Sequence, residues 1–174
     1  MSSLRVETTM GAFDIALQEA AAPATCDYFK QLVAADRLRG AEAFRMLCER
    51  NQPPDVTSPI HVIQFGRDEW MTTRQHEVPL EHTRRTGLSH QRWSVSAARF
   101  GATELYGSFF VCMREEPALD YGGDRHADGQ GFAVFGEVCR GFATLEQIFA
   151  APVTGEQLDP PIAVTRFSLV AASQ

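Results

Sequence analysis

Arg45 is the residue whose type and surroundings best suit it to chemistry. It lies between Phe44 and Met46 in a short apolar segment that predicts a strand. A guanidinium stays charged at any ordinary pH and holds its N–H donors in a rigid fork, so Arg45 could act as a fixed hydrogen-bond donor. An ion-paired arginine on the surface of a barrel would have the same local sequence. The residue alone does not separate these two interpretations.

The other residues that could bind metals or act as nucleophiles form no recognisable site. A glycine-rich segment holds Asp120, Asp124, His126 and Asp128. The four-residue spacing of the aspartates differs from the alternate-residue ligands of a calcium loop. Three more histidines are dispersed along the chain, at His76, His82 and His90. The sequence has no Ser-His-Asp, Cys-His or phosphate-loop pattern worth pursuing, so we expect no metal and no cofactor.

Composition bounds the class of protein. The 174 residues are 44% hydrophobic and 22% charged, which fits one globular domain spanning residues 1–174. The formal net charge of −6 argues against a nucleic-acid-binding surface. Four arginines are bunched in mid-chain: Arg84, Arg85, Arg92 and Arg99. We interpret them as a solvated face, with a local basic patch as the alternative.

The chain shows no sign of export or membrane insertion. The first residues, MSSLRVETTMG, lack a basic segment followed by an apolar one, and no run is long enough to span a bilayer. The four cysteines form no CxxC, and Cys112 and Cys139 lie in apolar runs that predict core positions. We therefore expect a cytoplasmic protein with reduced thiols, without membrane partners and monomeric.

Hydrophobic periodicity predicts short strands with two widely separated helices. The predicted strands are 4–8, 12–17, 43–47, 60–64, 93–98, 108–113, 132–138 and 163–170. The predicted helices are a first one begun by Pro23 and a second one over 141–149. The predicted loops are 49–59, 66–87, 101–107 and 119–130. Because the helices do not alternate with the strands, we expect a mostly β fold, an antiparallel barrel with helices at its ends.

In order and spacing, the segments resemble those of the cyclophilins, peptidyl-prolyl cis-trans isomerases that fold as a closed eight-stranded antiparallel barrel capped by two helices. TTMGAFDIAL and AAPATCDYF resemble the opening hairpin and first helix of that family, and GFATLEQI resembles its second helix. GAEAFRML is similar to the family's G-T-x-F-H-R-V-I, and HVIQFG to its F-M-x-Q-G-G. WSVSAAR, GSFFVC and ALDYGG…GFAVFGEV resemble further family blocks. The chain would be a divergent, bacterial-like member.

The resemblance implies a site. It places Arg45 on the catalytic arginine and Gln64 on the active-site glutamine. It implies substrate contacts from His61, Val62, Ala98, Arg99, Ser108, Phe110, Leu119 and Phe132. The implied partners are Pro-containing peptides or unfolded protein clients.

Several positions depart from the family pattern. A Pro-rich insertion occupies 48–59, and Phe65 replaces the first glycine of Q-G-G. Ser108 replaces a pocket glutamine, and Ala118 replaces the tryptophan that favours cyclosporin binding. We therefore expect a partly rebuilt pocket, with weak or no binding of cyclosporin. Phe65 could also close part of the groove.

Arginine suits the implied chemistry. Rotation about an X-Pro bond must overcome a barrier of roughly 18–20 kcal/mol, because it breaks amide resonance. In the twisted amide the prolyl nitrogen regains a lone pair, and a fixed donor aimed at it stabilises the transition state more than the planar ground state. We expect Arg45 to be that donor.

Each of the residues expected beside Arg45 has an alternative interpretation. Gln64 would orient a substrate carbonyl or hold the guanidinium, or else be an ordinary strand-end amide. Alternation allows only one of Phe109 and Phe110 to face the pocket. His61 would donate to substrate at the pocket rim, or be a half-exposed rim histidine without a task. For the whole chain, the alternative to an active isomerase is a catalytically weak module that binds Pro-containing segments.

Overall fold

A β-barrel closed on itself forms the body of the protein in the computed structural model, which describes residues 1–171. Residues 172–174 of the predicted domain lie outside the described residues. A hairpin of the strands Ser3–Thr8 and Gly11–Leu17 begins the barrel, as its alternating pattern predicts. The last strand, Gln157–Val170, pairs with both the first strand and the strand Glu42–Leu47 and so closes the barrel. The expected eight-stranded antiparallel barrel is therefore confirmed.

The strands, in chain order, are β1 (Ser3–Thr8), β2 (Gly11–Leu17), β3 (Glu42–Leu47), β4 (Val62–Gly66), β5 (His76–Glu77), β6 (Ser94–Arg99), β7 (Glu104–Cys112), β8 (Val134–Arg140), β9 (Val153–Thr154) and β10 (Gln157–Val170). Eight of them form the barrel in the order β1-β2-β8-β6-β7-β4-β3-β10. The short strands β5 and β9 pair with β7 and β10.

The helices are α1 (Pro23–Ala34), α2 (Trp70–Thr73), α3 (Thr83–Thr86) and α4 (Phe142–Phe149). Pro23 begins α1, where its missing N–H costs no hydrogen bond. The N-cap side chain of α1 makes no capping bond; instead, the buried carboxylate of Glu81 accepts from the backbone N–H groups of Ala24 and Thr25 at 3.0 and 2.9 Å. A distant carboxylate thus satisfies the helix start.

The core is a cluster of aromatic rings in which Phe65, Phe109 and Phe13 meet. Phe65 stacks on Phe109 at 5.2 Å and lies 5.3 Å from Phe13. Phe29 from α1 stacks on Phe135 at 4.4 Å, so the helix is bound to the barrel by the same cluster. Burial of such side chains stabilises the fold by about 1.5–3 kcal/mol each.

Three predicted segments differ most from the structure. Residues 104–107 were expected in a loop but begin β7, because Leu105 and Tyr106 are buried against the barrel. The polar segment 66–87 contains the short helices α2 and α3. The last strand begins at Gln157, ahead of its two prolines.

Two further findings concern the cysteines and the membrane. The cysteines of the described chain are free thiols, and Cys139 is exposed, contrary to the core position predicted for it. It lies at a register shift between β8 and β2, where Val138 pairs with Ile15 and Arg140 with Asp14. Among residues 1–171, no helix is both long and apolar enough to cross a membrane.

Candidate active site

The candidate site is built on one row of residues that crosses four neighbouring strands. Arg45 on β3 pairs with Gln64 on β4, Gln64 pairs with Phe110 on β7, and Phe110 pairs with Ser96 on β6. Residues directly opposite one another in a sheet project to the same face. The barrel therefore places the arginine, the glutamine and the phenylalanine side by side on its outer surface.

Arg45 is held from two sides. Its Nε donates to Glu156 Oε2 at 2.8 Å, and its Nη2 lies 2.7 Å from the same oxygen. Its Nη1 donates to Gln64 Oε1 at 3.2 Å. The side chain keeps 31% of its surface exposed, so the guanidinium is fixed in position and still accessible.

Glu156 reaches Arg45 because of the tight turn between β9 and β10. Gly155 has φ 62°, a left-handed conformation that glycine adopts without steric cost. Gln157 then pairs with Arg45, and the backbone carbonyl of Glu156 accepts from Met46 N at 2.8 Å. Asn51 fastens the turn further by donating to the Gly155 carbonyl at 3.1 Å. The ion pair therefore rests on a defined backbone geometry.

Both the oxygen and the nitrogen of the Gln64 amide form hydrogen bonds within the protein. Its oxygen faces the donor-only guanidinium, which fixes the amide orientation. Its Nε2 then donates to Tyr106 Oη at 3.1 Å and to Ser108 Oγ at 3.0 Å. Ser108 in turn donates to the Phe65 carbonyl at 2.6 Å. Of the roles expected for Gln64, its contacts support holding the guanidinium.

A pocket of about 190 Å³ opens beside this row. Eight of the predicted site residues line it: Arg45, Val62, Gln64, Ala98, Arg99, Phe110, Leu119 and Phe132. Six further residues complete the wall: Leu47, Ile60, Met71, Phe100, Tyr106 and Arg125. None of residues 48–59 does so within the described chain, so the insertion does not cover this pocket.

Phe110 forms part of the pocket wall, whereas Phe109 points into the barrel. Phe110 packs edge-on against Phe132 with 5.6 Å between ring centroids. Behind it, the buried ring of His90 runs nearly parallel, at 6.2 Å. Phe109 stacks on Phe65 in the core, as strand alternation requires. The wall beside Arg45 is thus apolar and backed by packed rings.

Arg99 lines the pocket, but its guanidinium is used to hold a loop. Its side chain has no exposed surface and forms a bidentate pair with Asp128 at 2.8 and 2.9 Å. Its Nε donates to the Gly131 carbonyl at 2.8 Å. The hydrogen bonds from Arg99 lower the pKa of Asp128 to about 2. This pair anchors the loop after β7 to the end of β6, beside Phe132.

The bunched arginines do not share one solvated face. Arg99 is buried, and Arg92 pairs with Glu146 at 3.1 Å. The aspartates of the glycine-rich segment are likewise engaged elsewhere, Asp128 with Arg99 and Asp120 with His90. Within residues 1–171, no group of three or more side chains is arranged to hold a metal ion.

His61 does not lie at the rim of this pocket. Its side chain is only 8% exposed, and both its backbone N and its Nδ1 lie within 2.9 Å of Glu116 Oε1. The reading of His61 as a half-exposed rim histidine is therefore wrong. Burial raises the pKa of Glu116, against the opposing effect of its hydrogen bonds with His61. The pair borders a neighbouring groove that also contains Ala118.

Two other predicted positions act differently from what the family pattern suggested. Ser108 is fully buried behind Gln64 and does not line the pocket. Phe65 is fully buried in the core, so the expectation that it closes part of the groove is wrong. Because side chains alternate along β4, Phe65 must point inward when Gln64 points outward.

A buried Ser-His-Asp arrangement lies behind the pocket, where the sequence shows no such pattern. His90 Nδ1 is 2.7 Å from Asp120 Oδ1, and its Nε2 is 2.9 Å from Ser96 Oγ. Ser96 has no exposed surface, so it cannot reach a substrate as a nucleophile. Burial lowers the pKa of His90, which favours the neutral ring between Asp120 and Ser96. These hydrogen-bonded residues therefore support the ring of Phe110 from the side opposite the pocket.

Sequence reasoning missed Glu156, Tyr106 and Arg125. Glu156 is 111 residues from Arg45, and nothing in its local sequence indicates the pairing. Tyr106 could have been found, since extending β7 back from Phe110 puts Tyr106 in the same alternation. Arg125 lies in the glycine-rich loop, where no periodicity predicts a direction.

Comparisons with known proteins agree with this geometry. The family model described as cyclophilin type peptidyl-prolyl cis-trans isomerase/CLD matches residues 3–169. Among curated proteins, the chain is 28% identical over 147 residues to "Peptidyl-prolyl cis-trans isomerase 10" of Caenorhabditis elegans, covering 84% of this chain and 81% of that protein.

The fold is also similar to solved structures. A cyclophilin type peptidyl-prolyl cis-trans isomerase of Cryptosporidium parvum superposes with a TM-score of 0.75 at 18% identity, with 99% of each chain covered. The structure of that protein in the presence of the dipeptide Ala-Pro gives 0.74 at 18% identity, covering 98% of this chain and 99% of the other. At this identity the likeness establishes the fold.

Proposed function

Because this chain belongs to the cyclophilin-type peptidyl-prolyl cis-trans isomerases, we propose that it accelerates rotation about X-Pro bonds in protein clients, with Arg45 donating to the twisted prolyl nitrogen. The observation that carries the mechanism is the fixed but accessible guanidinium of Arg45, whose side chain is 31% exposed and is bonded to both Glu156 and Gln64. Such a donor needs little reorganisation when the amide twists, so it favours the transition state over the planar ground state.

Arg45 keeps hydrogen-bonding capacity for a substrate. A guanidinium has five N–H donors, and three of them are directed at Glu156 and Gln64. Five minus three leaves two N–H groups on the terminal nitrogens. These groups are the ones we assign to the client peptide.

The adjoining pocket suits a proline ring. Its volume of about 190 Å³ is below the range of about 300–1,000 Å³ typical of pockets that hold drug-sized ligands. Phe110, Phe132, Leu119 and Val62 give it apolar walls. A ring-sized apolar side chain therefore fits it better than a cofactor, and a proline held there would bring its nitrogen towards Arg45.

The test is NMR exchange spectroscopy on short X-Pro peptides, with wild type and Arg45→Ala compared at equal concentration. We expect wild type to raise the exchange rate, and Arg45→Ala to lose about 100- to 1,000-fold of kcat/KM, as when one preorganised donor is removed elsewhere. Arg140→Ala, which removes an exposed arginine of β8 outside the pocket, is the control. Equal activity in Arg45→Ala and wild type would refute the mechanism.

The second candidate is a catalytically weak module that binds Pro-containing segments. The Glu156 carboxylate favours it, because it offsets part of the charge that Arg45 would offer to a substrate. Binding of X-Pro peptides without faster exchange would decide for this candidate. The bulk of Phe65 no longer supports it, since that ring lies in the core.

The partner assignments rest partly on this site and partly on the composition and charge of the chain. We propose Pro-containing segments of unfolded clients as ligands, a monomer in the cytoplasm, and no nucleic-acid partner. We also propose weak or no cyclosporin binding, because Ala118 offers only a methyl group, at the neighbouring groove. A titration with cyclosporin followed by tryptophan fluorescence would test this.

A further inference from the structure

The pocket wall carries an excess of positive charge. Three of its residues are arginines, Arg45, Arg99 and Arg125, and no carboxylate of the described chain lines it. Arg45 and Arg99 are compensated from behind, by Glu156 at 2.7 Å and Asp128 at 2.8 Å. Arg125 lacks such a compensating carboxylate, so it gives the pocket wall its net positive charge.

Arg125 has no ion pair with any of residues 1–171. Asp124, Glu116 and Glu156 act on it only from beyond ion-pairing distance. Burial, together with the positive charge of Arg45, lowers the pKa of Arg125. Its cation is thus partly desolvated and near a like charge, so an anion placed between Arg45 and Arg125 would stabilise both.

The backbone that carries Arg125 is well anchored. Arg125 N donates to the Ala118 carbonyl at 3.1 Å, and Gly122 N donates to the Gly129 carbonyl at 2.7 Å, which closes the loop on itself. Asp128 of the same loop is bonded to the buried Arg99. The guanidinium therefore starts from a fixed backbone position, which limits the entropy lost when it binds a ligand.

We propose that Arg125 gives this isomerase a preference for client segments in which an acidic residue directly precedes or follows the proline. The proposal rests on the proposed function, because it takes Arg45 as the residue opposite the prolyl nitrogen. A side-chain carboxylate one residue from that nitrogen would then lie close to Arg125. Because the overall charge of −6 gives acidic clients no long-range attraction to the protein, a preference for them would have to come from a local cation such as Arg125.

The test compares four peptides of one length that differ in one position: Glu or Gln directly before the proline, and Glu or Gln directly after it. With wild type we expect one Glu peptide to exceed its Gln partner about fivefold in kcat/KM, mainly through a lower KM. The difference should shrink in about 0.5 M salt, because salt screens the attraction between the two charges. In Arg125→Gln, each Glu peptide and its Gln partner should agree within about twofold in kcat/KM, because the neutral amide keeps a polar side chain but no charge.

Arg140→Gln is the matched control, since it removes the same charge from the exposed end of β8 and should keep the preference. Equal kcat/KM for Glu and Gln peptides in wild type, or an unchanged preference in Arg125→Gln, would overturn the proposal. If no peptide is isomerised faster, the proposed function fails. In that case, the affinities of the Glu and Gln peptides, measured by NMR titration, test separately whether Arg125 favours acidic segments.

Discussion

Glu156 binds Arg45 through a single carboxylate oxygen, which lies 2.8 Å from Nε and 2.7 Å from Nη2. The contact joins the β9–β10 turn to the centre of the candidate site. Such a pair has two opposite effects on a catalytic donor: it fixes the direction of the guanidinium, and it offsets part of its charge. Because the transition state of rotation about an X-Pro bond develops no full charge, we expect the fixed direction to matter more.

The first prediction concerns Glu156. Glu156→Ala should lower kcat/KM about fivefold, equivalent to about 1 kcal/mol, because the guanidinium gains rotational freedom. The thermal midpoint should change little, because a half-exposed ion pair contributes only about 0.2–1 kcal/mol. Glu156→Asp, whose shorter side chain keeps the charge, is the comparison. An increase in kcat/KM for Glu156→Ala would show that charge compensation dominates.

The second prediction concerns Gln64. Gln64→Ala should lower kcat/KM about tenfold, because Arg45 loses a partner and the hydroxyls of Tyr106 and Ser108 lose their shared donor. Tyr106→Phe is the matched variant, since it removes one acceptor of the amide and leaves the Gln64–Arg45 bond intact. It should retain most of the activity. If Tyr106→Phe were as impaired as Gln64→Ala, the bond to Arg45 would not be the relevant contact.

The sequence was sufficient to predict most of the barrel and the row that carries the site. The resemblance to the cyclophilin motifs implied that Arg45, Gln64 and Phe110 share a site, and the structure pairs them on adjacent strands. Strand alternation added that only one of Phe109 and Phe110 can face the pocket, because side chains on a strand alternate between its two faces.

The contacts that decide the site's electrostatics could not be predicted in the same way. Glu156 reaches Arg45 from a turn and Arg125 reaches the pocket from a loop, and the directions of both depend on left-handed glycines and distant anchors. His61 shows the converse error: it follows the family pattern in position, yet its ring is drawn to the buried Glu116, 55 residues away. These polar pairs join residues far apart in the chain, so no local sequence pattern predicts them.

The third prediction concerns the loop anchored by Arg99. Asp128→Asn should destabilise the protein by about 2 kcal/mol or more, because the fully buried guanidinium loses its bidentate carboxylate. The same loop carries Arg125 and leads to Phe132, so kcat/KM should fall as well. Urea unfolding measures the first effect. Asp124→Asn, an exposed position in the same loop, is the control and should unfold like wild type.

The same pair predicts a response to acid. The pKa of Asp128 is lowered to about 2 in the folded protein by hydrogen bonds from Arg99, so the folded state holds fewer protons than the unfolded state at mildly acidic pH. Its contribution to stability should be full above the ordinary aspartate pKa of about 4, and be lost as the pH falls through that value towards 2. Asp128→Asn should unfold with a shallower pH dependence in that window.

The fourth prediction concerns His90, which lies behind Phe110 with no exposed surface. Burial lowers its pKa, so at a pH below the ordinary histidine value of about 6.5 the unfolded chain binds a proton that the folded protein resists. Stability should therefore fall as the pH drops from about 7.5 to 5.5, by at most about 1.4 kcal/mol per pH unit.

Two variants isolate that response. His90→Asn should be less stable at neutral pH and should lose part of the slope between about pH 7.5 and 5.5, since no proton is taken up at that position on unfolding. His82→Asn is the control, because asparagine can replace the N-cap acceptor that His82 provides to Arg85 N, and it should keep the slope. An unchanged slope in His90→Asn would mean that another group, such as the half-buried His76, whose pKa is also lowered by burial, carries the pH dependence.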